Sequence, residues 1–213
     1  LILPATGTVD VRCGEFSLTT TGHGYHDRNW SHVPLHALGI QTWVWGHTPY
    51  RGGERIFYVL FPDSGEAPEA LGFQIGPDGA LTEVPLDATL SGRRRTAYGM
   101  PSWGHITLHD SAGPWLEVRP DRCLDSGPFY LRYWTRNVAP DAPEQTGSCE
   151  IIVPSRIDMA RHRPLVRMRV SQSTGANSMW LPLFEGDPKT RIGRLVRHWS
   201  RPMQGWLRRG PGS

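Results

Sequence analysis

Phe129-Tyr130-Leu131-Arg132-Tyr133-Trp134-Thr135-Arg136 alternates two kinds of side chain. One face carries Phe129, Leu131 and Tyr133, the other Tyr130, Arg132, Trp134 and Arg136. Successive strand residues point to opposite faces. The first set can therefore join a core while the second lines a polar aromatic surface. The same rhythm recurs on both sides, over residues 8–13, 15–20, 40–47, 55–61, 71–75, 80–84, 88–96, 104–109, 115–119, 149–153 and 165–171. Gly76-Pro77-Asp78-Gly79 and Tyr50-Arg51-Gly52-Gly53 are turn signals between strands. Strands repeating about every ten residues favour a barrel or sandwich over alternating βαβ units. Nineteen prolines argue against long helices. Residues 34–38 read as a short connector with a single helical turn, and residues 138–148 as a loop.

The ends bound the domain organisation. Residues 1–189 read as one all-β, antiparallel domain, alone or as the C-terminal part of a longer two-domain protein. The remainder, residues 190–213, reads as a basic amphipathic helix and tail. There Ile192, Leu195, Val196, Trp199, Met203, Trp206 and Leu207 recur at helical spacing, with arginines between them and Pro202 as a kink. Such a helix can pack on the barrel or lie in a membrane interface, which makes peripheral membrane contact an expectation to test. No apolar run reaches the ~18 residues of a membrane span. The net charge of +3 is carried by scattered arginines, with Lys189 the sole lysine. Nucleic acid is therefore not an expected partner. Cys13, Cys123 and Cys149 form neither a disulfide framework nor a CxxC site, which points to a cytoplasmic setting.

One stretch differs from the rest. Gly22-His23-Gly24-Tyr25-His26-Asp27-Arg28-Asn29-Trp30 contains no aliphatic side chain and reads as either a turn or the lining of a pocket. Burial favours the neutral form of a carboxyl group, so an enclosed Asp27 could hold and give a proton. His26 or Tyr25 could hold and reload it, and Asn29 could orient it or a water. Trp43 and Trp45, two apart in a strand, share a face. With Trp30 they offer π faces to a cation at ~0.5–2 kcal/mol each. An acid among tryptophans suits a reaction passing through a carbocation, and the same wall would hold an apolar polyene. Trp103, Tyr130, Tyr133 and Trp134 are further candidates for substrate contact. His23, His26, Asp27, His32 and His36 offer a competing metal reading, but glycines and Pro34 break up any HExxH-like helix. Nucleophile-elbow, P-loop and dinucleotide signatures are absent.

Gly22-x-Gly24-Tyr25-His26-Asp27-x-Asn29-Trp30 followed by Trp43-x-Trp45-Gly46 resembles the carotenoid 1,2-hydratase (hydroxyneurosporene synthase) family and its lipocalin-like relatives. The resemblance implies a lipocalin-like β-barrel, or two joined β domains. It implies addition of water to the terminal double bond of an acyclic carotenoid, with Asp27 as proton donor and no redox cofactor. Relatives include cofactor-free cyclases and Diels–Alderases, so cyclisation of a polyene and simple carriage of an apolar ligand stand as alternatives. Arg28 and Ser31 depart from the usual His and Gly. The pocket is expected either at a junction with an upstream domain or within one barrel.

Overall fold

A computed structural model describes residues 2–28, 30–157, 159, 162, 167–171, 178–182 and 191. The chain opens with a long antiparallel hairpin, β1 (Ile2–Cys13) and β2 (Phe16–Asp27), whose register runs from Ile2 opposite Asp27 to Cys13 opposite Phe16. A 3-10 turn, Leu35–Ala37, leads into β3 (Ile40–Tyr50) and β4 (Gly53–Pro62). Then follow β5 (Glu69–Ile75), β6 (Leu81–Ser91), the short pair β7 (Arg94–Arg95) and β8 (Pro101–Ser102), and β9 (His105–Asp110). β10 (Gly113–Ser126), β11 (Tyr130–Val138) and β12 (Gln145–Ile152) complete the main body. A last hairpin joins β13 (Arg167–Ser171) and β14 (Ser178–Pro182).

Eight strands close into a lipocalin-like barrel in the order β3-β4-β5-β6-β9-β10-β11-β12, with β12 pairing back onto β3. Every neighbouring pair is antiparallel. Closure removes the open sheet edges that an array of short strands would otherwise expose. The interior holds Val44, Phe57, Val59, Ile106, Leu108, Leu116, Val118, Leu131 and Ile151, all at 0–1% exposure. Gly46 makes room for them: a Cβ there would lie 2.5 Å from the Phe57 ring and 2.7 Å from the Ser148 carbonyl oxygen.

Each mouth of the barrel carries an arginine. Arg55, 6% exposed, lies 3.6 Å over the Tyr50 ring and 4.7 Å over Trp115, and donates to the Trp115 carbonyl at 2.5 Å. At the other mouth Arg156, in the 3-10 turn Pro154–Arg156, donates to the carbonyls of Tyr98, Gly99 and Pro128 at 2.9, 3.0 and 3.2 Å.

The structure corrects several boundaries. Residues 22–27 continue β2 rather than forming a loop, because β1 supplies a partner for each of them. Residues 88–91 belong to β6, which runs on to pair with β9; only Arg94 and Arg95 of the expected 88–96 strand form a separate element. The loop after β11 ends where Gln145 begins pairing with Asn137. β14 has no counterpart in the sequence reading. Residues 190–213 lie outside the described residues apart from Arg191, so the amphipathic segment stands as an expectation. No helix among the described residues is long and apolar enough to cross a membrane.

Candidate functional site

The candidate site lies outside the barrel, between the outer face of β3, β4 and β12 and the β1–β2 hairpin. The pocket is therefore not within the barrel, whose interior is filled by side chains. Alternation on β3 explains the placement. Val44 faces inward at 0% exposure, while Trp43, Trp45 and His47 face outward. On β4, Glu54, Ile56 and Tyr58 face the same way, joined by Phe73 and Ile75 of β5. An apolar outer face of this kind needs a cover, and Tyr25 of β2 provides part of it.

Tyr25 lies flat on His47, ring centroids 4.1 Å apart and planes at 16°, and tilts against Trp45 at 5.6 Å. Trp45 in turn stands 5.5 Å from His47, and Trp43 stands 6.0 Å from Tyr58. The hydroxyl of Tyr25 and the indole N–H of Trp43 are buried and find no hydrogen-bond partner among the described residues. Burial first, then the nearby Asp27 carboxylate, pushes the Tyr25 phenol well above the ordinary tyrosine range. It remains a hydrogen-bond donor at physiological pH.

Two connected clefts run beside this aromatic stack. One, about 870 Å³, is lined by Asp27, Arg28, Trp30, Trp43, Trp45 and Ile152 among others. The second, about 780 Å³, is lined by Tyr25, Asp27, Trp45, His47, Glu54 and Trp134 among others. Asp27, Trp45, Arg132 and Glu150 border both. Asp27 therefore sits where the clefts adjoin, sharing one lining with Trp43 and Trp45 and the other with Trp45 and His47.

The polar wall is built from β11 and β12. Arg132 Nε donates to Glu150 Oε1 at 2.9 Å and to Tyr130 Oη at 2.8 Å, and its Nη2 lies 2.9 Å from the same carboxylate. On β3, His47 Nδ1 meets Glu54 Oε1 at 2.6 Å, with the two side chains only 18% and 4% exposed. The β3–β4 turn makes this pair possible. Arg51 and Gly52 take left-handed conformations at φ 48° and 80°, folding the chain back so that Glu54 returns opposite Pro49. Tight two-residue turns with positive φ match the twist of paired strands.

The structure gathers Tyr25, Asp27, Trp43 and Trp45 into one site, with Trp30 and Trp134 lining its two clefts. Tyr130 reaches it through Arg132. His26 alternates to the opposite face of β2 and is exposed. Trp103 stacks on Phe61 at 5.4 Å among the core residues, and Tyr133 packs against the same core, so neither lines the clefts. Asn29 lies outside the described residues. His23, His26, Asp27, His32 and His36 form no metal-holding group; none of three or more ligands occurs among the described residues. Sequence reading missed Arg132, Glu150, His47 and Glu54 as site residues. The signal for His47 was its place two residues beyond Trp45, on the indole face.

Residues 2–178 match the family described as Carotenoid hydratase CrtC. A hydroxyneurosporene dehydrogenase of Chlorobaculum tepidum is 32% identical over 114 residues, covering 53% of this chain and 30% of that protein. A solved structure from Nitrosomonas europaea, described as an AttH, superposes with a TM-score of 0.55 at 14% identity, over 70% of this chain and 50% of that one. That likeness shows the fold. Kievitone hydratase of Nectria haematococca superposes with a TM-score of 0.49 at 16% identity, over 72% of this chain and 51% of that one. The chain spans about a third of the curated relative and half of each solved structure. With the family match running over most of its length, this chain belongs to the carotenoid hydratase CrtC family.

Proposed function

We propose that the site hydrates a terminal carbon–carbon double bond of an acyclic isoprenoid, with Asp27 as the acid. The carrying observation is the position of Asp27 on the border of two clefts, both lined by Trp45 and one by Trp43 as well. The Asp27 proton goes to the less substituted alkene carbon, where a C–H bond forms as the π bond breaks. The cation left on the tertiary carbon then takes the oxygen of water, whose surplus proton leaves. Indole faces stabilise such a cation by about 0.5–2 kcal/mol each. Tyr25, a phenol that cannot readily ionise here, can hold a hydrogen bond to Asp27 or water without competing for the proton. No redox or metal-borne step is needed to balance this reaction.

The test is Asp27→Asn in the full-length protein, with an acyclic carotene in deuterated water. Loss of a positioned general acid costs about 10²–10⁴-fold, so turnover should fall by at least about 10²-fold while thermal unfolding stays near wild type. The wild-type alcohol should carry one solvent deuterium at the carbon beside the new C–O bond. Full turnover by the Asn variant, with no deuterium on carbon, would instead point to a cyclase that works by holding a polyene in shape.

A further inference from the structure

The His47–Glu54 pair borders the same cleft as Asp27. Glu54 is 3% exposed, and its oxygen lies 2.6 Å from His47 Nδ1. A carboxylate only accepts hydrogen bonds. With Glu54 ionised, His47 Nδ1 is the donor of this contact, and in the neutral ring Nε2 on the other edge is the acceptor. A carboxylate behind an imidazole fixes both tautomer and orientation, and stabilises the imidazolium that forms when Nε2 takes a proton. Tyr25 flat against one face, with centroids 4.1 Å apart, and Trp45 at 5.5 Å restrain the ring further.

Spacing supports a division of labour between acid and base. Tyr25 and Asp27 are two residues apart on one face of β2, a step of roughly 7 Å, and Tyr25 is the residue stacked on His47. Asp27 and His47 thus line the same cleft, one on β2 and the other on the face that β2 covers.

We propose that His47, positioned by Glu54, is the catalytic base that takes the proton from the attacking water, with Asp27 as its partner acid. This rests on the hydration reading above. Asp27 gives its proton to carbon, the water oxygen bonds to the cationic carbon, and the water proton passes to His47 Nε2. The proton then returns through solvent from the imidazolium to the Asp27 carboxylate, and no net charge or electron is left over. Glu54 touches no reacting atom and serves as a positioning residue.

The experiment follows two signals in deuterated water: alcohol formed, and deuterium appearing in recovered, unhydrated carotene. The second reports protonation by Asp27 followed by loss of a proton from the cation. His47→Gln should lower hydration by about 10²-fold while deuterium wash-in persists at the wild-type level. Glu54→Gln should show the same split with a smaller loss, about 10-fold. Persistent wash-in also shows that each variant is folded around a working acid. Wild-type hydration by His47→Gln overturns the assignment, and so does a joint fall of hydration and wash-in in both variants. Wild-type protein yielding neither alcohol nor deuterated carotene overturns the hydration reading itself, and the assignment with it.

Discussion

At the scale of single residues, Tyr25 carries its hydroxyl into a buried position without a partner, while its ring stacks on His47 and Trp45. Removing only that hydroxyl leaves no protein acceptor stranded. Tyr25→Phe should therefore keep thermal stability within about 1 kcal/mol, whereas Tyr25→Ala should lose the stacking, worth about 0.5–1.5 kcal/mol per aromatic pair. Calorimetry of the two variants separates these effects. Cys149, fully buried on β12, has its thiol pushed up from 9.0 to about 12, first by burial and then by Glu150. A folded-state value above the unfolded one means the unfolded chain ionises first as pH rises. The stabilisation is whole below pH 9.0 and is lost as pH climbs towards about 12. In titration with a thiol reagent at neutral pH, Cys13 and Cys123 should react in the native protein and Cys149 only after unfolding.

Residues of this kind divided sharply in how well the sequence announced them. Asp27, Trp43 and Trp45 stood out because a polar aromatic run and a two-residue period survive any detail of packing. Glu54 did not. A glutamate beside a turn ordinarily reads as solvent-facing, and its burial depends on how the left-handed Arg51–Gly52 turn swings it beneath His47. Trp103 failed in the opposite sense. Its aromatic character suggested substrate contact, but its position after β8 sends it into the core against Phe61.

Among elements, β3 does two jobs at once, packing the core with its even-numbered residues and presenting the site with its odd ones. Gly46 sits on the inward side, where only a hydrogen fits between Phe57 and the Ser148 carbonyl. The Phe57 ring could turn aside; the Ser148 backbone could not. Gly46→Ala should therefore cost about 1–3 kcal/mol through overpacking, and shrinking Phe57 to Leu should restore only part of it. Urea unfolding of the single and double variants measures the difference. The strand pattern itself was readable because the half-buried strands keep strict alternation over many residues. The end of β2 was not. Gly22-His23-Gly24 carries loop composition, and only pairing with β1 across the hairpin makes it a strand.

For the whole molecule, the packed core and the candidate site are housed apart. The barrel core contains Leu131 at 0% exposure, while the hairpin leaves Phe16 and Leu18 at 58% and 47%. Leu131→Ala should cost about 2–5 kcal/mol, against less than about 0.5 kcal/mol for Leu18→Ser on the exposed hairpin face. Denaturation midpoints of the two variants check that contrast. The barrel was legible from strand spacing and turn chemistry. The siting of the clefts outside its wall was not, because alternation says which residues share a face but not which face becomes the inside.

Lipocalins typically keep cargo within the cylinder, where small barrels hold one small ligand. Here Phe57 and Leu108 fill the cylinder, with Arg55 and Arg156 seated at its two ends. Under the proposed hydration, turnover on the outer staves would free product departure from any parting of the wall. The proposed cycle would then leave the barrel rigid, with its tempo set by how fast a greasy alcohol slides sideways off the indoles.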